Sequence, residues 1–438
     1  GNATGTLRFN HVFSSKLFSN TSFIVSNYNY AVTSFLSDND FKVTSQITDI
    51  NLKEDLQYVA GPNHTLKFGL NVLHHTISPG DISASSGSSI NSQGIEKRYG
   101  YENELYASDE WRLGSKLTML YGLRASSFML MGPGTFNTYN TSGEVVGSQT
   151  YGSGKSVASY FNLEPRLSVS YVFDDQNSVK ASYARSTQNI HLLSNATASN
   201  PTSLYVMSSN NIKPEIADQL SVGYFKNLKE DVYECSAEVY YKDLKNQIDY
   251  KNGAQLLFNQ SVEAELIYGV GRAYGIELFL KKKQGRLNGW FGYTLSRVER
   301  KFDAINNGNY YPAIQDRTHD LSLVGIYQLN DRWTLSSTFI YSSGNAVTFP
   351  TGKYSVGGLT TYSYSDRNAN RMPSTHRLDI GATLNARKGR KYQSSWVFSI
   401  YNVYGYWSPY AISFRDNPDN LTVTEAVQTS IFAAPIPS

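Results

Sequence analysis

Phe161-Asn162-Leu163-Glu164-Pro165-Arg166-Leu167-Ser168-Val169-Ser170-Tyr171-Val172-Phe173 alternates along its length. Phe161, Leu163, Leu167, Val169, Tyr171 and Phe173 are apolar, and Asn162, Glu164, Arg166, Ser168 and Ser170 stand between them. Successive side chains of a strand point to opposite faces, so this run reads as a strand with one apolar and one charged face. The same period recurs at Trp333, Leu335, Phe339 and Tyr341 against Thr334, Ser336, Thr338 and Ser342. It recurs again at Tyr233, Cys235, Ala237, Val239 and Tyr241 against Glu234, Ser236, Glu238 and Lys242. Similar runs lie near 178–187, 216–228, 274–283, 287–297 and 376–385.

Composition agrees with strands. Charged residues make up 17% of the 438, against about 25% in ordinary globular chains. Aromatics reach 13%, with 33 tyrosines among them. Ser, Thr, Asn and Gly fill the polar remainder and favour strands and turns over helices. A net charge of +3 is too mild for a nucleic-acid partner. The single cysteine, Cys235, excludes an internal disulfide framework and a Cys-based zinc site. No apolar run is long enough for a transmembrane helix. Gly1-Asn2-Ala3-Thr4 opens without a signal peptide, so the N-terminus of the whole protein is expected elsewhere.

The connections alternate too. Short turns occur near 14–17, 60–64, 113–116, 173–178, 227–231, 284–289, 329–333 and 388–391. Between them lie long polar loops near 78–97, 131–156, 188–215, 250–265, 300–316 and 343–375. Short turns at one end and long loops at the other are the signature of an antiparallel transmembrane β-barrel of the outer membrane. A soluble sandwich or propeller is the rival, but no repeat of blade length is visible. About sixteen strands joined in sequence order, with no linker, predict one barrel domain over 1–438. Glu164, Arg166 and Glu238 should then face a wet or protein-filled interior, and Leu163, Leu167, Val169, Tyr171, Leu335 and Phe339 the lipid. Tyr240, Tyr241, Tyr310, Tyr311, Tyr362, Tyr364, Tyr404, Tyr406 and Trp407 fall near strand ends, where aromatic rings meet a wet rim.

Catalytic signals are weak, and no cofactor or metal is expected. His74 and His75 are adjacent on a strand and point to opposite faces, so they cannot share a metal. No Gly-x-Ser-x-Gly occurs. Gly269-Val270-Gly271-Arg272-Ala273-Tyr274-Gly275 has one residue too many for a dinucleotide fingerprint and reads as strand glycines.

Several segments resemble the C-terminal barrel of TonB-dependent outer-membrane receptors, in the branch with a carboxypeptidase-regulatory-like N-terminal domain. They are Phe161 to Ser168, Val179-Lys180-Ala181-Ser182-Tyr183-Ala184-Arg185, Ile212-Lys213-Pro214-Glu215 and Gly271-Arg272-Ala273-Tyr274-Gly275-Ile276-Glu277. Tyr293-Thr294-Leu295-Ser296, Asp316-Arg317-Thr318-His319-Asp320, His376-Arg377-Leu378-Asp379 and Tyr401-Asn402-Val403-Tyr404 continue the set. Residues 1–160 share the strand-loop rhythm and His64-Thr65-Leu66-Lys67-Phe68-Gly69. Nothing matches the plug domain or TonB box of that family, and Ser430 to Ser438 looks like the start of a final strand. If the full barrel has 22 strands, this chain would hold roughly strands six to twenty-two, incomplete at both ends and open along its edges.

The resemblance implies active, TonB-coupled import of a scarce nutrient across the bacterial outer membrane. Iron chelates, cobalamin, oligosaccharides and peptides are candidate substrates. Implied partners are outer-membrane lipid and the TonB complex, the latter reached through the absent N-terminal part. A SusC-like glycan or peptide importer capped by a surface lipoprotein is an alternative, as are a passive porin-like channel and an outer-membrane enzyme. Specificity in a barrel resides in the long loops. The candidate ligand residues are therefore His191, Asn195, Tyr205, Asn210 and Asn211 in 188–215, and Tyr310 and Tyr311 in 300–316. Tyr362, Tyr364, Arg367 and Arg371 in 343–375 complete the set. In the competing reading, Arg367, Arg371 and Asp316 pair with one another or with the plug to order the loops. Asp316, Arg317 and His319, at a loop–strand junction, are expected to be structural.

Overall fold

The computed structural model describes residues 1–34, 41–84, 93–94, 96–193, 204–254, 261–356, 359–386, 392, 394–417, 419–431 and 434–438. The wall strands are β1 (Asn2–Val12), β2 (Leu17–Ser34), β3 (Phe41–Val59), β4 (His64–Ala84), β5 (Arg98–Leu113) and β6 (Leu117–Met131). Next come β7 (Ser156–Asp174), β8 (Asn177–Gln188), β9 (Glu215–Leu228), β10 (Tyr233–Tyr250) and β11 (Leu266–Lys282). The last are β12 (Leu287–Lys301), β13 (His319–Gln328), β14 (Trp333–Ser342), β15 (Thr375–Asn385) and β16 (Ser395–Tyr401). Each pairs antiparallel with its successor, giving one up-and-down sheet. Among the described residues the helical pieces are two 3-10 turns, Val262–Glu265 and Asn306–Gly308.

The short turns are built by local side chains. Asn330 Oδ1 accepts the backbone N–H of Arg332 and of Trp333, both at 2.9 Å. Asp174 accepts the Gln176 N–H at 2.8 Å, and Ser14 Oγ those of Lys16 and Leu17. Such side-chain caps stabilise tight turns without help from the rest of the fold. The turn expected at 388–391 lies outside the described residues.

The two sheet faces divide as the alternation requires. Across β3 to β7 one face carries Lys53 and Asp55, Asn71, Glu104, Arg124 and Ser126, and Glu164, in cross-strand register. Opposite charges pair on this face: Arg124 meets Glu104 at 3.1 Å and Lys53 meets Asp55 at 2.9 Å. Glu164, 3% exposed, accepts hydrogen bonds from Ser126 and Thr187 at 2.9 and 2.7 Å. Leu163 and Leu167, on the other face, are 48% and 41% exposed. A water-soluble sheet does the reverse, burying the leucines and wetting the glutamate. The glycines of β11 are strand glycines on the polar face: a Cβ on Gly269 would stand 2.2 Å from the Lys301 carbonyl.

The polar face is the inner one, because the connecting segments fold onto it. Ile77, Phe128 and Leu130 continue that face above the charged rows and bury against Phe136 and Met207 from two connecting hairpins. These connections are more ordered than the long-loop reading expects. The first is the hairpin Gly134–Tyr139 with Val145–Tyr151. Ile190–Leu193 pairs with Leu204–Met207, and Pro350–Val356 with Leu359–Tyr364. Part of the expected loop 78–97 is strand, since β4 runs to Ala84. A further hairpin, Pro409–Asn417 with Asn420–Ser430, occupies a stretch whose strands the alternation did not reveal. Ile436–Pro437 then pairs with β16 at Ile400 and Tyr401. Among the described residues β1 pairs with β2 alone, so the first and last wall strands do not meet.

Candidate functional site at the long-loop mouth

Two cavities open among the connecting segments at this rim. The first, of about 460 Å³, lies between the hairpin at 134–151, the segment 204–209 and the turn Val262–Glu265. Arg98 lies 4.3 Å over the Phe136 ring and pairs with Glu96 at 2.8 Å. Tyr139, Tyr205 and Glu263 add aromatic and polar groups to its lining. Burial pushes the Glu263 carboxyl above its ordinary pKa, against the lowering effect of hydrogen bonds from Asn211 and Ser209.

Several expected ligand residues hold this region together. The Asn210 and Asn211 amides both donate to the Asn137 carbonyl at 2.9 Å, tying the segment after Met207 to the preceding hairpin. His191 is buried, with Nε2 3.0 Å from Ser208 Oγ and Nδ1 3.7 Å from Glu215. Asn195 lies outside the described residues. Of this loop's candidates, Tyr205 and not His191, Asn210 or Asn211 lines the cavity.

The second cavity, of about 590 Å³, is lined by Asn252, Asn306, Thr348, Tyr364, Asp366 and Arg367 among others. Arg367 is clamped: Nη1 donates to Asp249 and to the Tyr250 carbonyl, and Nη2 to Asn252 Oδ1, all at 2.8 Å. Tyr311, buried, donates to the same Asp249 at 2.9 Å. Arg371 pairs with Asp316, and its Nη1 donates to the Asp316 carbonyl at 2.8 Å. Asp316 is 0% exposed and also accepts the Val298 N–H. The Arg371–Asp316 pair is the one the competing reading expects, whereas Arg367 pairs with Asp249, a residue that reading did not name. Tyr362 donates to Asp416 at 3.3 Å and Lys353 reaches the same carboxylate at 2.7 Å, binding the hairpin at 350–364 to that at 409–430. The Lys353 ammonium holds Asp416 below the ordinary carboxylate pKa.

Tyr310 stands apart, over the Arg272 guanidinium at 4.1 Å. The candidates thus separate. Tyr205 lines one cavity, Tyr364 and Arg367 the other, and Tyr310 neither. Arg98, Phe136 and Glu263 were not singled out by sequence: Phe136 and Glu263 lie in stretches expected as loops, and Arg98 opens wall strand β5.

The whole chain finds its counterpart among known proteins. A family model for the TonB dependent receptor-like β-barrel matches residues 1–417. No curated protein matches in sequence. Among solved structures, the ferric-catecholate import receptor Fiu of E. coli K12 superposes with TM-score 0.59 at 14% identity, over 100% of this chain and 62% of that one. FpvA of P. aeruginosa, solved with bound pyoverdine and iron, gives 0.62 at 12% identity over 93% and 52%. The copper transporter OprC gives 0.65 at 10% identity over 98% and 64%. The chain spans less than two thirds of each of these structures, and at such identities the likeness is one of fold. With a charged inner face, an apolar outer face and hairpins folded into the mouth, the chain belongs to the TonB-dependent receptor-like β-barrel family.

Proposed function

We propose that this chain forms the wall and ligand-facing mouth of an outer-membrane importer, driven through TonB, that takes up a scarce polar nutrient. The observation that carries the reading is the inverted sheet: paired charges inside, exposed leucines and aromatics outside. Such a wall is stable with lipid around it and water or protein within. Family membership supports TonB coupling, through protein beyond this chain. Among the described residues β1 pairs on one side alone, and in lipid an open edge costs several kcal/mol for each unsatisfied backbone group, so that edge would need a pairing partner.

The ligand would be met at the mouth by aromatic faces and hydrogen-bonding groups: Tyr205, Tyr139 and Arg98 at one cavity, Tyr364, Asn252 and Asp366 at the other. This equipment suits a polar ligand with stacking surfaces, in the class of metal chelates, glycans or peptides. It supports binding and passage rather than bond chemistry.

The test is nutrient-limited growth and uptake in cells carrying the whole receptor. Uptake should cease when TonB is deleted. Tyr205→Ala and Tyr364→Ala should each weaken uptake about tenfold, the scale of one lost aromatic contact, at unchanged surface level. Uptake that survives loss of TonB would mark a passive channel. Normal uptake by both variants would move the ligand away from these cavities.

A further inference from the structure

The outer wall carries a feature that import does not use. Leu220, Val222, Val239, Tyr241, Tyr274 and Ile276, from β9 to β11, line a groove of about 830 Å³ that extends to β12. They share the register face of the exposed leucines, so the groove lies on the outer side. It sits in the middle of the sheet, with paired strands on both sides, so its exposure is not that of an unfinished edge. Tyr241 and Tyr274 stack within it at 6.4 Å.

Toward the long-loop rim the groove ends on Arg272 and Arg297. Both spend their Nε on one carboxylate, Glu299, at 2.8 and 3.1 Å. Glu299 is buried beneath them, whereas the arginine side chains are 35% and 42% exposed. The two arginines share Glu299; Asp243 on β10, in register with Arg272, lies 3.7 Å from Lys245, so positive charge is in excess here. A guanidinium has five N–H donors in a planar fork, so each arginine keeps donors for a second anion. Lys301 lies 5.8 Å from the Tyr310 ring that also covers Arg272, adding a third cation to the rim.

We infer that this groove binds an anionic lipid of the outward leaflet, its acyl chain along the tyrosines and aliphatic residues and its phosphate on Arg272 and Arg297. The inference rests on the outer wall facing lipid, as proposed above. An apolar trough alone would take any chain. The excess guanidinium charge at one end selects a phosphate headgroup of net negative charge over a zwitterionic one, because the fork binds phosphate oxygens bidentately and no headgroup cation competes for them.

The test uses the full-length receptor, delipidated in neutral detergent and titrated with phosphatidic acid or phosphatidylcholine of identical chains, with bound lipid counted by native mass spectrometry. Phosphatidic acid should be retained about tenfold better, ~1.4 kcal/mol. The triple variant R272Q/E299Q/R297Q, which leaves no stranded carboxylate, should lose that preference. Val239→Trp should weaken both lipids by filling the trough, and excess inorganic phosphate should not displace the lipid. Equal retention of the two lipids, an unchanged preference in the triple variant, or displacement by free phosphate would overturn the inference. Heat-modifiable migration in gels reports the folded barrel. A receptor that never inserts into lipid would count against the proposed function, whereas an inserted receptor without lipid preference would count against the groove alone.

Discussion

Wall and mouth use ion pairs in opposite ways. On the wall a charge finds its partner on the neighbouring strand, as Arg124 does with Glu104, or two residues along its own: Lys53 with Asp55, Glu110 with Arg112, Arg377 with Asp379. The same-strand pairs are 25–60% exposed, and such pairs contribute about 0–1 kcal/mol each. At the mouth Arg371 reaches Asp316 across 55 residues and Arg367 reaches Asp249 across 118. Both carboxylates are nearly or wholly buried. The wall is thus specified by a repeated local pattern that tolerates loss of any one pair. The mouth relies on long-range pairs, each tying a connecting segment to a distant strand end.

The largest expected effect at the mouth follows directly. Asp316→Ala takes the carboxylate from Arg371, whose Nη1 keeps the carbonyl of residue 316, and leaves the Val298 N–H without its acceptor. Breaking a fully buried pair from one side costs about 3–5 kcal/mol, and with Arg371 34% exposed the loss should be about 2–3 kcal/mol. Glu110→Ala on the wall should cost no more than about 1 kcal/mol. Hydrogen exchange should show faster opening of the segment 343–356 in the first variant and nothing comparable around β5 in the second. Equal responses would break the distinction between wall and mouth. The double variant D316A/R371A should recover part of the loss, since it removes the cation left without its carboxylate.

The wall has its own point of vulnerability, which is sidedness rather than pairing. Leu167 and Ser168 are neighbours on β7 and face opposite ways. Leu167→Arg would place a cation on the lipid side, costing about 2–4 kcal/mol near the bilayer midplane. Ser168→Arg enters a face already furnished with Arg124, Arg166 and Glu164, and should change stability by less than about 1 kcal/mol. Urea unfolding of the barrel in lipid vesicles separates the two. A costlier Ser168→Arg would mean that the faces are assigned the wrong way round.

The same contrast explains what was legible in the sequence. Period-two alternation reports the sheet face directly, so Leu163, Glu164 and Leu335 could be placed from their neighbours alone. The turns at Asn330 and Asp174 were legible because their capping side chains act within three residues. The mouth was not. Arg367 reads as a free loop guanidinium until Asp249 is brought to it from another strand end. Tyr310 and Tyr311 are adjacent in sequence, yet Tyr311 is buried against Asp249 while Tyr310 packs over Arg272. Glu263 sits in a short turn with no periodicity, and only the packing of Asn211 and Ser209 against it reveals a buried carboxyl. Long-range closure leaves no local trace, so the mouth takes shape where sequence patterns are silent.

The smallest expected effect separates two parts of the mouth by the sign of their pH dependence. Burial raises the Glu263 carboxyl above its ordinary pKa, so the folded mouth holds that proton more tightly than the unfolded chain. Its contribution is complete at acid pH, below the ordinary glutamate value, and is lost as pH rises through the raised one. Asp416 is the opposite case, held low by the Lys353 ammonium. Its contribution is present above the ordinary aspartate value and lost as pH falls through the lowered one. Hydrogen exchange between about pH 2 and 8, corrected for intrinsic rates, spans the region below the ordinary carboxylate range as well as the region above it. Protection of 204–212 and of the turn Val262–Glu265 should decline toward the alkaline end, and protection of the hairpin Pro350–Val356 with Leu359–Tyr364 toward the acid end. Glu263→Gln should flatten the first trend and leave the second intact, because a neutral amide keeps a hydrogen-bonding side chain there without an ionisation to suppress. If 204–212 keeps its alkaline loss in Glu263→Gln, the proton resides elsewhere and the mouth is not governed by this carboxyl.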